Sequence, residues 1–438
     1  MQASNTTEDH VEQHSRTDPY TDRYAVRAAG MVPSEIRALF AMVARPEIVS
    51  LAGGAPYVSA LPLDAVGGMI GDLVAGKGAE VLQYGSAQGD ELLREHICEV
   101  MALEGVHGSA DDVVVTVGAQ QALDLITKIF IDPGDVILAE APSYVGALGT
   151  FASYQADVVH VPMDDGGLEP AALRENLDRL RREGRRVKFL YTVPTFQNPA
   201  GVTLTTARRA QILEICAEHD VLIVEDNPYG LLRYDGEPVR ALRADDDRVI
   251  YLGSFSKTIA SGLRVGWVLA PHAIRAKLVL AAESAILCPS NFSQLAVREY
   301  LATQPWREQI KDFRELYRER RDAMLDALAQ QMPDGCTWTR PEGGFFVWLT
   351  LPEGLDSKAM SPRAIAERVA YVPGTGFYAD GGGQRHMRLS YCFPEPDRIR
   401  EGVRRLAGVI DQELRMRDTF GETAATGTGV HTPGPGIV

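Results

Sequence analysis

Seven short β-branched runs, separated mostly by stretches with helical spacing, constrain this chain more than any other feature. They are DVVVTV (112–117), DVILAE (135–140), DVVHV (157–161), VKFLYT (187–192), VLIVE (221–225), VIYLGS (249–254) and VGWVLA (265–270). Near-continuous apolar runs of this length suit strands covered on both faces. Intervening segments such as AQQALDLITKIF and RRAQILEICAEH place apolar residues three and four apart, as helices with one buried stripe do. The alternation predicts an α/β fold, a mainly parallel sheet flanked by helices. From about Asn291 the texture changes: a charged helical stretch reaches about Met332, followed by FFVWLTLP, YVPG and HMRLSYCF. Short strands among helices predict a smaller α+β domain there.

The expected division is a mobile N-terminal segment 1–30, an arm 31–63, a large domain 64–290, a linking helix with a small domain 291–415, and a flexible tail 416–438. The tail TFGETAATGTGVHTPGPGIV has too few large apolar residues to offset its ordering entropy. Composition narrows the function classes. With 44 Lys plus Arg against 59 Asp plus Glu, the net charge of −15 disfavours nucleic acid as a partner. No run approaches the ~18 apolar residues of a membrane span, and the first twenty residues lack a signal-peptide core, so a cytoplasmic protein is expected. The five cysteines are odd in number and lack CxxC spacing, which argues against a disulfide framework or a thiolate metal site. No HExxH or other zinc spacing occurs among nine histidines, and no metal is expected. GDLVAGKG (71–78) imitates a P-loop, but Gly78 replaces the hydroxyl residue and no strand precedes it, so a helix end and loop is the reading. The basic run RLRREGRRVK (179–188) reads as a helix end, where cations complement the dipole.

SFSK (254–257) fits two chemistries. As SxxK it sets a Ser254 nucleophile beside a Lys257 base, but the KTG and SxN elements that such hydrolases need are missing. As a cofactor lysine it explains its neighbours. Lys257 follows the buried run VIYLGS, at the carboxyl edge of a parallel sheet where α/β folds bind ligands, and its amine can form a Schiff base with pyridoxal phosphate. That cofactor needs an anion at its ring nitrogen, donors to its phenolic oxygen, phosphate donors and a flat group on the ring. Asp226, closing VLIVE, supplies the anion. Tyr229 and Asn198 of QNPAG supply the donors. The backbone N–H groups of Gly118, Ala119 and Gln120, opening a helix, form an anion site to which Ser254, Ser256 and Arg264 add hydroxyls and charge. Tyr144 is the candidate ring for stacking, and Ser143 beside it is a further candidate.

NPAG, EDNPYG and GSFSKTIASGLRVGW, in that order, resemble the pyridoxal-phosphate aminotransferases of fold type I, class I/II, and most of all the branch similar to 2-aminoadipate and kynurenine aminotransferases. The resemblance covers about residues 31–412, with Ala200 where Thr or Ser is common and Ser261 where Pro is common. It implies that Lys257, Asp226 and Tyr229 are the catalytic set and that Arg388 in HMRLSY clamps the substrate α-carboxylate, with Asn198 and Gly54 beside it. It further implies a homodimer with shared active sites, in which Tyr84 of LQYGSAQG serves the neighbouring subunit's phosphate. The arm carries Ser34 and Arg37 in MVPSEIRALF at the active-site entrance, where Arg37 is a candidate for a distal substrate carboxylate. The implied activity is transfer of an amino group from an L-amino acid to a 2-oxo acid, with 2-oxoglutarate the usual acceptor. Decarboxylation or elimination on the same ring remains open, as does an effector-sensor role. The sensor reading is disfavoured because only about thirty polar residues precede the match in an acidic chain.

Overall fold

The computed structural model describes residues 18–31 and 45–425, which leaves Ser34 and Arg37 outside the described residues. The chain enters through strand β1 (Val49–Ser50) and helices α1 (Leu63–Val81) and α2 (Glu91–Ala102). The predicted runs then become β2 (Val113–Thr116), β3 (Val136–Ala141), β4 (Asp157–Asp164), β6 (Val187–Thr192), β7 (Leu222–Asp226), β8 (Ile250–Ser254) and β9 (Gly266–Leu269). A short β5 (Gly167–Leu168) completes an eight-stranded sheet in the order β2-β9-β8-β7-β6-β3-β4-β5. Strands β8, β7, β6, β3 and β4 pair in parallel. Strand β9 runs antiparallel to both β2 and β8. Its reversal follows from connection length: the segment 255–265 is shorter than the roughly dozen residues that a parallel crossover needs.

Helices α3 (Gly118–Phe130), α4 (Val145–Ser153) and α7 (His272–Ile286) cover one face of the sheet, and α5 (Pro170–Arg182) and α6 (Thr206–Glu218) cover the other. Alternation along the strands sorts the two cores. Ile137, Phe189 and Val224 pack under Ile126, Phe151 and Leu278, while Val136, Leu138, Leu190 and Ile223 pack under Leu177, Ile212 and Ile215. Burial on both faces is why β3, β6 and β7 read as continuous apolar runs, whereas in β4 only Val161 is buried.

Beyond α8 (Asn291–Thr303), which packs on α1 and α2, the long helix α9 (Trp306–Gln331) bridges two cores. Trp306 and Ile310 join the cluster of Leu93 and Val113, whereas Phe313, Tyr317 and Met324 join a second, smaller sheet. That sheet is antiparallel, in the order β10 (Thr337–Trp338), β11 (Phe346–Thr350), β14 (His386–Ser390), β13 (Val372–Pro373). Helix α10 (Ser357–Ala366) precedes β12 (Val369–Ala370), with which β1 pairs in parallel, so the arm strand is stitched to this part of the chain. Helix α11 (Pro396–Ala425) closes the fold.

One sequence expectation changes. GDLVAGKG is not a helix end and loop, since α1 continues through it to Val81 with only Lys77 departing from helical geometry. Leu73 and Val81 buried against Leu295 and Ala296 outweigh the cost of the glycines. Residues 416–425 are helical, because α11 persists to Ala425, with Arg415 paired to Asp411 and the Thr419 hydroxyl donating to the Arg415 carbonyl. The N-terminal segment holds 3-10 turns at Thr21–Arg23 and Val26–Gly30, the second packed on α4. Among the described residues, no helix is long and apolar enough to cross a membrane.

Candidate active site

The carboxyl ends of the parallel strands open into a cavity of about 340 Å³, roofed by β11 and β14 of the small sheet and by the Gly53–Ala55 strip that follows β1. Lys257 enters it from a π-helical turn, Ser256–Ala260, directly after β8. Its amine donates to the Gly54 carbonyl at 2.8 Å. Burial lowers the amine's pKa from 10.5 to about 8, and nearby Arg388 and Arg264 act in the same direction while Cys392 opposes them.

Asp226, the last residue of β7, is 4% exposed. The Tyr191 hydroxyl donates to Asp226 Oδ2 at 2.9 Å, but Oδ1 is buried without a partner. Burial pushes the carboxyl up to about 6; the Tyr191 hydrogen bond lowers it and buried Glu140 raises it. A buried carboxylate oxygen with no donor needs one. A protonated pyridine nitrogen is a donor of the right kind, so this orphaned atom fits pyridoxal phosphate.

The other end of the cavity suits a phosphate. Helix α3 opens at Gly118 (φ +72°), where a Cβ would stand 2.5 Å from Arg264 Nη2; only glycine lets the guanidinium lie against the helix start. Arg264 also reaches the Ser256 hydroxyl at 3.4 Å, and the Ser254 hydroxyl donates to Ser256 at 2.9 Å. Ala119 and Gln120 line the cavity, although the Gln120 amide is committed to Gly146 and Thr150. Tyr144 caps α4, and its hydroxyl meets Gln120 Oε1 at 3.3 Å.

Arg388 on β14 is 2% exposed and ties the small sheet to the loop after β6 and to the segment after β1. Its Nη1 donates to Asn198 Oδ1 at 2.9 Å and its Nη2 to the Ala52 carbonyl at 2.8 Å, while Nε has no partner. The guanidinium lies 4.1 Å over the Phe346 ring. Burial lowers it to about 10, still charged at neutral pH. Asn198 is held by its neighbour: Gln197 donates to buried Glu140 and accepts from the Ala200 N–H. Tyr229 also lines the cavity, its ring edge-on to Phe345 and Phe346.

Twelve sequence candidates therefore share one cavity: Gly54, Ala119, Gln120, Tyr144, Asn198, Asp226, Tyr229, Ser254, Ser256, Lys257, Arg264 and Arg388. Gly118 abuts Arg264 at its edge. Ser143 is buried outside the lining, its N–H donating to the Phe377 carbonyl. Tyr84 is 77% exposed and does not reach the cavity of its own chain. Sequence reasoning missed Phe346, Tyr191 and Glu140. The polar residue inside VKFLYT and the acid ending DVILAE were the available signals for the last two.

The family model for aminotransferase class I and II matches residues 46–406. The chain belongs to that family. It is 46% identical over 400 residues to aromatic-amino-acid aminotransferase 1 of Thermococcus litoralis, covering 90% of this chain and 96% of that protein. Among solved structures it resembles the Pyrococcus horikoshii kynurenine aminotransferase in complex with PMP (TM-score 0.86, 42% identity, 90% and 98% of the two chains). It also resembles the alpha-aminoadipate aminotransferase of Thermus thermophilus, complexed with N-(5'-phosphopyridoxyl)-L-leucine (TM-score 0.84, 36% identity, 91% and 99%). This aminotransferase thus uses pyridoxal phosphate, and the Ser/Lys hydrolase reading of SFSK falls away.

Proposed function

We propose that this aminotransferase moves the amino group of an L-amino acid to 2-oxoglutarate in two ping-pong half-reactions, acting in cytoplasmic amino acid metabolism as a homodimer. The observation that carries the reading is the presence, in one cavity, of a buried lysine amine near pKa 8 and a buried carboxylate with an unpartnered oxygen. When bound, pyridoxal phosphate supplies a protonated ring that accepts the electron pair of a bond at the substrate Cα. Lys257 is the attachment point and moves the proton between Cα and the cofactor; an amine near pKa 8 is basic yet has a far larger neutral fraction at cellular pH than an ordinary lysine. Asp226, near 6, is ionised at pH 7 and holds the proton on the ring nitrogen. The Tyr229 hydroxyl and the Asn198 amide donate to the phenolic oxygen. Arg264, Ser254, Ser256 and the first-turn N–H groups of Gly118, Ala119 and Gln120 take the phosphate, and Tyr144 stacks on the ring. Arg388 pairs with the substrate α-carboxylate through its free edge, Asn198 and Gly54 bordering the same place.

The large domain 64–290 carries the cofactor, and Arg37 of the arm 31–63, which lies outside the described residues, is the candidate for a distal carboxylate. Tyr84 completes the phosphate site of a second copy, as its exposure on this chain suits. The names of the relatives, aromatic, kynurenine and alpha-aminoadipate aminotransferases, favour donors with large or acidic side chains. The test is turnover by the pyridoxal-phosphate-loaded protein with a panel of amino acids and 2-oxoglutarate. Glutamate formation with at least one such donor supports the proposal, and its absence across the panel refutes it.

A further inference from the structure

The turn that carries Asn227 to Leu231 is a wall between two cavities. Pro228 and Tyr229 face the active site, whereas Gly230 and Leu231 face a separate cavity of about 610 Å³ reaching Arg314 of α9. Glu104, just past α2, forms part of the second cavity's lining. Its Oε1 accepts from Asn227 Nδ2 at 2.8 Å, and its Oε2 accepts from the Tyr251 hydroxyl at 3.2 Å. The carboxylate is pressed against the turn itself, since a Cβ on Gly230 would stand 1.7 Å from Glu104 Oε1. Asn227 follows Asp226 directly and is fixed on its other side by its N–H to the Leu252 carbonyl. We propose that Glu104 is a positioning residue that clamps the Asn227–Gly230 turn and thereby sets Asp226 and Tyr229 against the cofactor.

The clamp rests on the functional reading above, because it matters only if Asp226 and Tyr229 hold a cofactor. It also responds to protons. Burial chiefly raises Glu104 to about 7; the Asn227 and Tyr251 hydrogen bonds and Arg209 of α6 lower it, and Glu225 of β7 raises it. Arg314 faces it from α9. An acid whose folded value is raised is protonated below about 7 and ionised above, so the fully accepting carboxylate exists on the alkaline side of neutrality.

The test measures pyridoxal phosphate Kd by equilibrium dialysis, the absorption spectrum of the bound cofactor, and the Tm of cofactor-free protein. Wild type is compared with Glu104→Ala, Glu104→Gln and Asn227→Ala at pH 6 and 8. Glu104→Ala and Asn227→Ala are expected to raise Kd at least tenfold and to alter the bound spectrum. Glu104→Gln, which keeps an acceptor for Asn227, is expected to stay within threefold of wild type and to lose the difference in Kd between the two pH values. Folded alanine variants that lose Tm but bind the cofactor with wild-type Kd and spectrum overturn the proposal, as does a glutamine variant as defective as alanine. If Glu104→Ala does not fold, Asn227→Ala cuts the same clamp from the other side and decides alone. Wild-type protein that binds no pyridoxal phosphate would instead defeat the functional reading.

Discussion

Replacing Asp226 by asparagine separates function from stability, because the two should move in opposite directions. In the cofactor-free protein Asp226 is a buried acid with one oxygen unserved, and its pKa stands at about 6 against an ordinary 3.8. The folded state therefore binds more protons than the unfolded state between those values, and stability falls as pH rises through that window. Above about 6 the cost is fully present. At ~1.4 kcal/mol per pH unit it amounts to roughly 3 kcal/mol, an upper figure for what a neutral side chain recovers. The substituted amide would keep the Tyr191 hydrogen bond through its carbonyl and turn its NH₂ toward the place of Oδ1. Cofactor-free Asp226→Asn should thus melt a few degrees above wild type at pH 8, by calorimetry, and lose that advantage toward pH 4. With cofactor, an amide donor meets the ring N–H donor, and a charge-assisted hydrogen bond of about 1.5–3 kcal/mol is lost. At ~1.4 kcal/mol per decade that is at least one to two powers of ten in kcat. Near-native kcat, or a variant less stable than wild type at pH 8, would refute the reasoning.

Three other outcomes are expected. The rate at which cofactor-free protein captures pyridoxal phosphate should rise with pH about a midpoint near 8, because the neutral amine of Lys257 is the nucleophile; stopped-flow absorbance showing a midpoint above 10 would contradict the buried amine. Arg388→Lys, which cannot form two parallel hydrogen bonds to a carboxylate, should lower kcat/KM by about ten- to a hundredfold in steady-state assays, mostly through KM. Mixed dimers of Lys257→Ala and Tyr84→Phe chains should recover activity that neither parent has in full, since one of their two sites collects both intact residues; verified mixed dimers without recovery would place Tyr84 outside the partner's site.

The strands and the place of Lys257 in the cavity were legible because both are local signals. Seven apolar runs of strand length needed no knowledge of their neighbours, and SFSKTIASGLRVGW carries Lys257 and Arg264 within one string. What escaped depends on contacts far apart in the chain. Glu104 meets Asn227 across 123 residues, Glu140 meets Gln197 across 57, and Tyr191 meets Asp226 across 35; the acids and Tyr191 look ordinary in their own segments. The direction of β9 required counting a connection rather than reading a pattern. In α1, tertiary packing overrode the glycines of GDLVAGKG.

The most direct test of the central claim is a single half-reaction without acceptor. Purified protein loaded with pyridoxal phosphate is mixed with one amino acid at a time, the visible absorbance is followed, and the products are identified by mass spectrometry. The account predicts that a preferred donor converts bound cofactor to pyridoxamine phosphate, releases one equivalent of its 2-oxo acid, and that 2-oxoglutarate then restores the original spectrum. Release of carbon dioxide or free ammonia in place of the 2-oxo acid, or an unchanged spectrum with every amino acid, would contradict it.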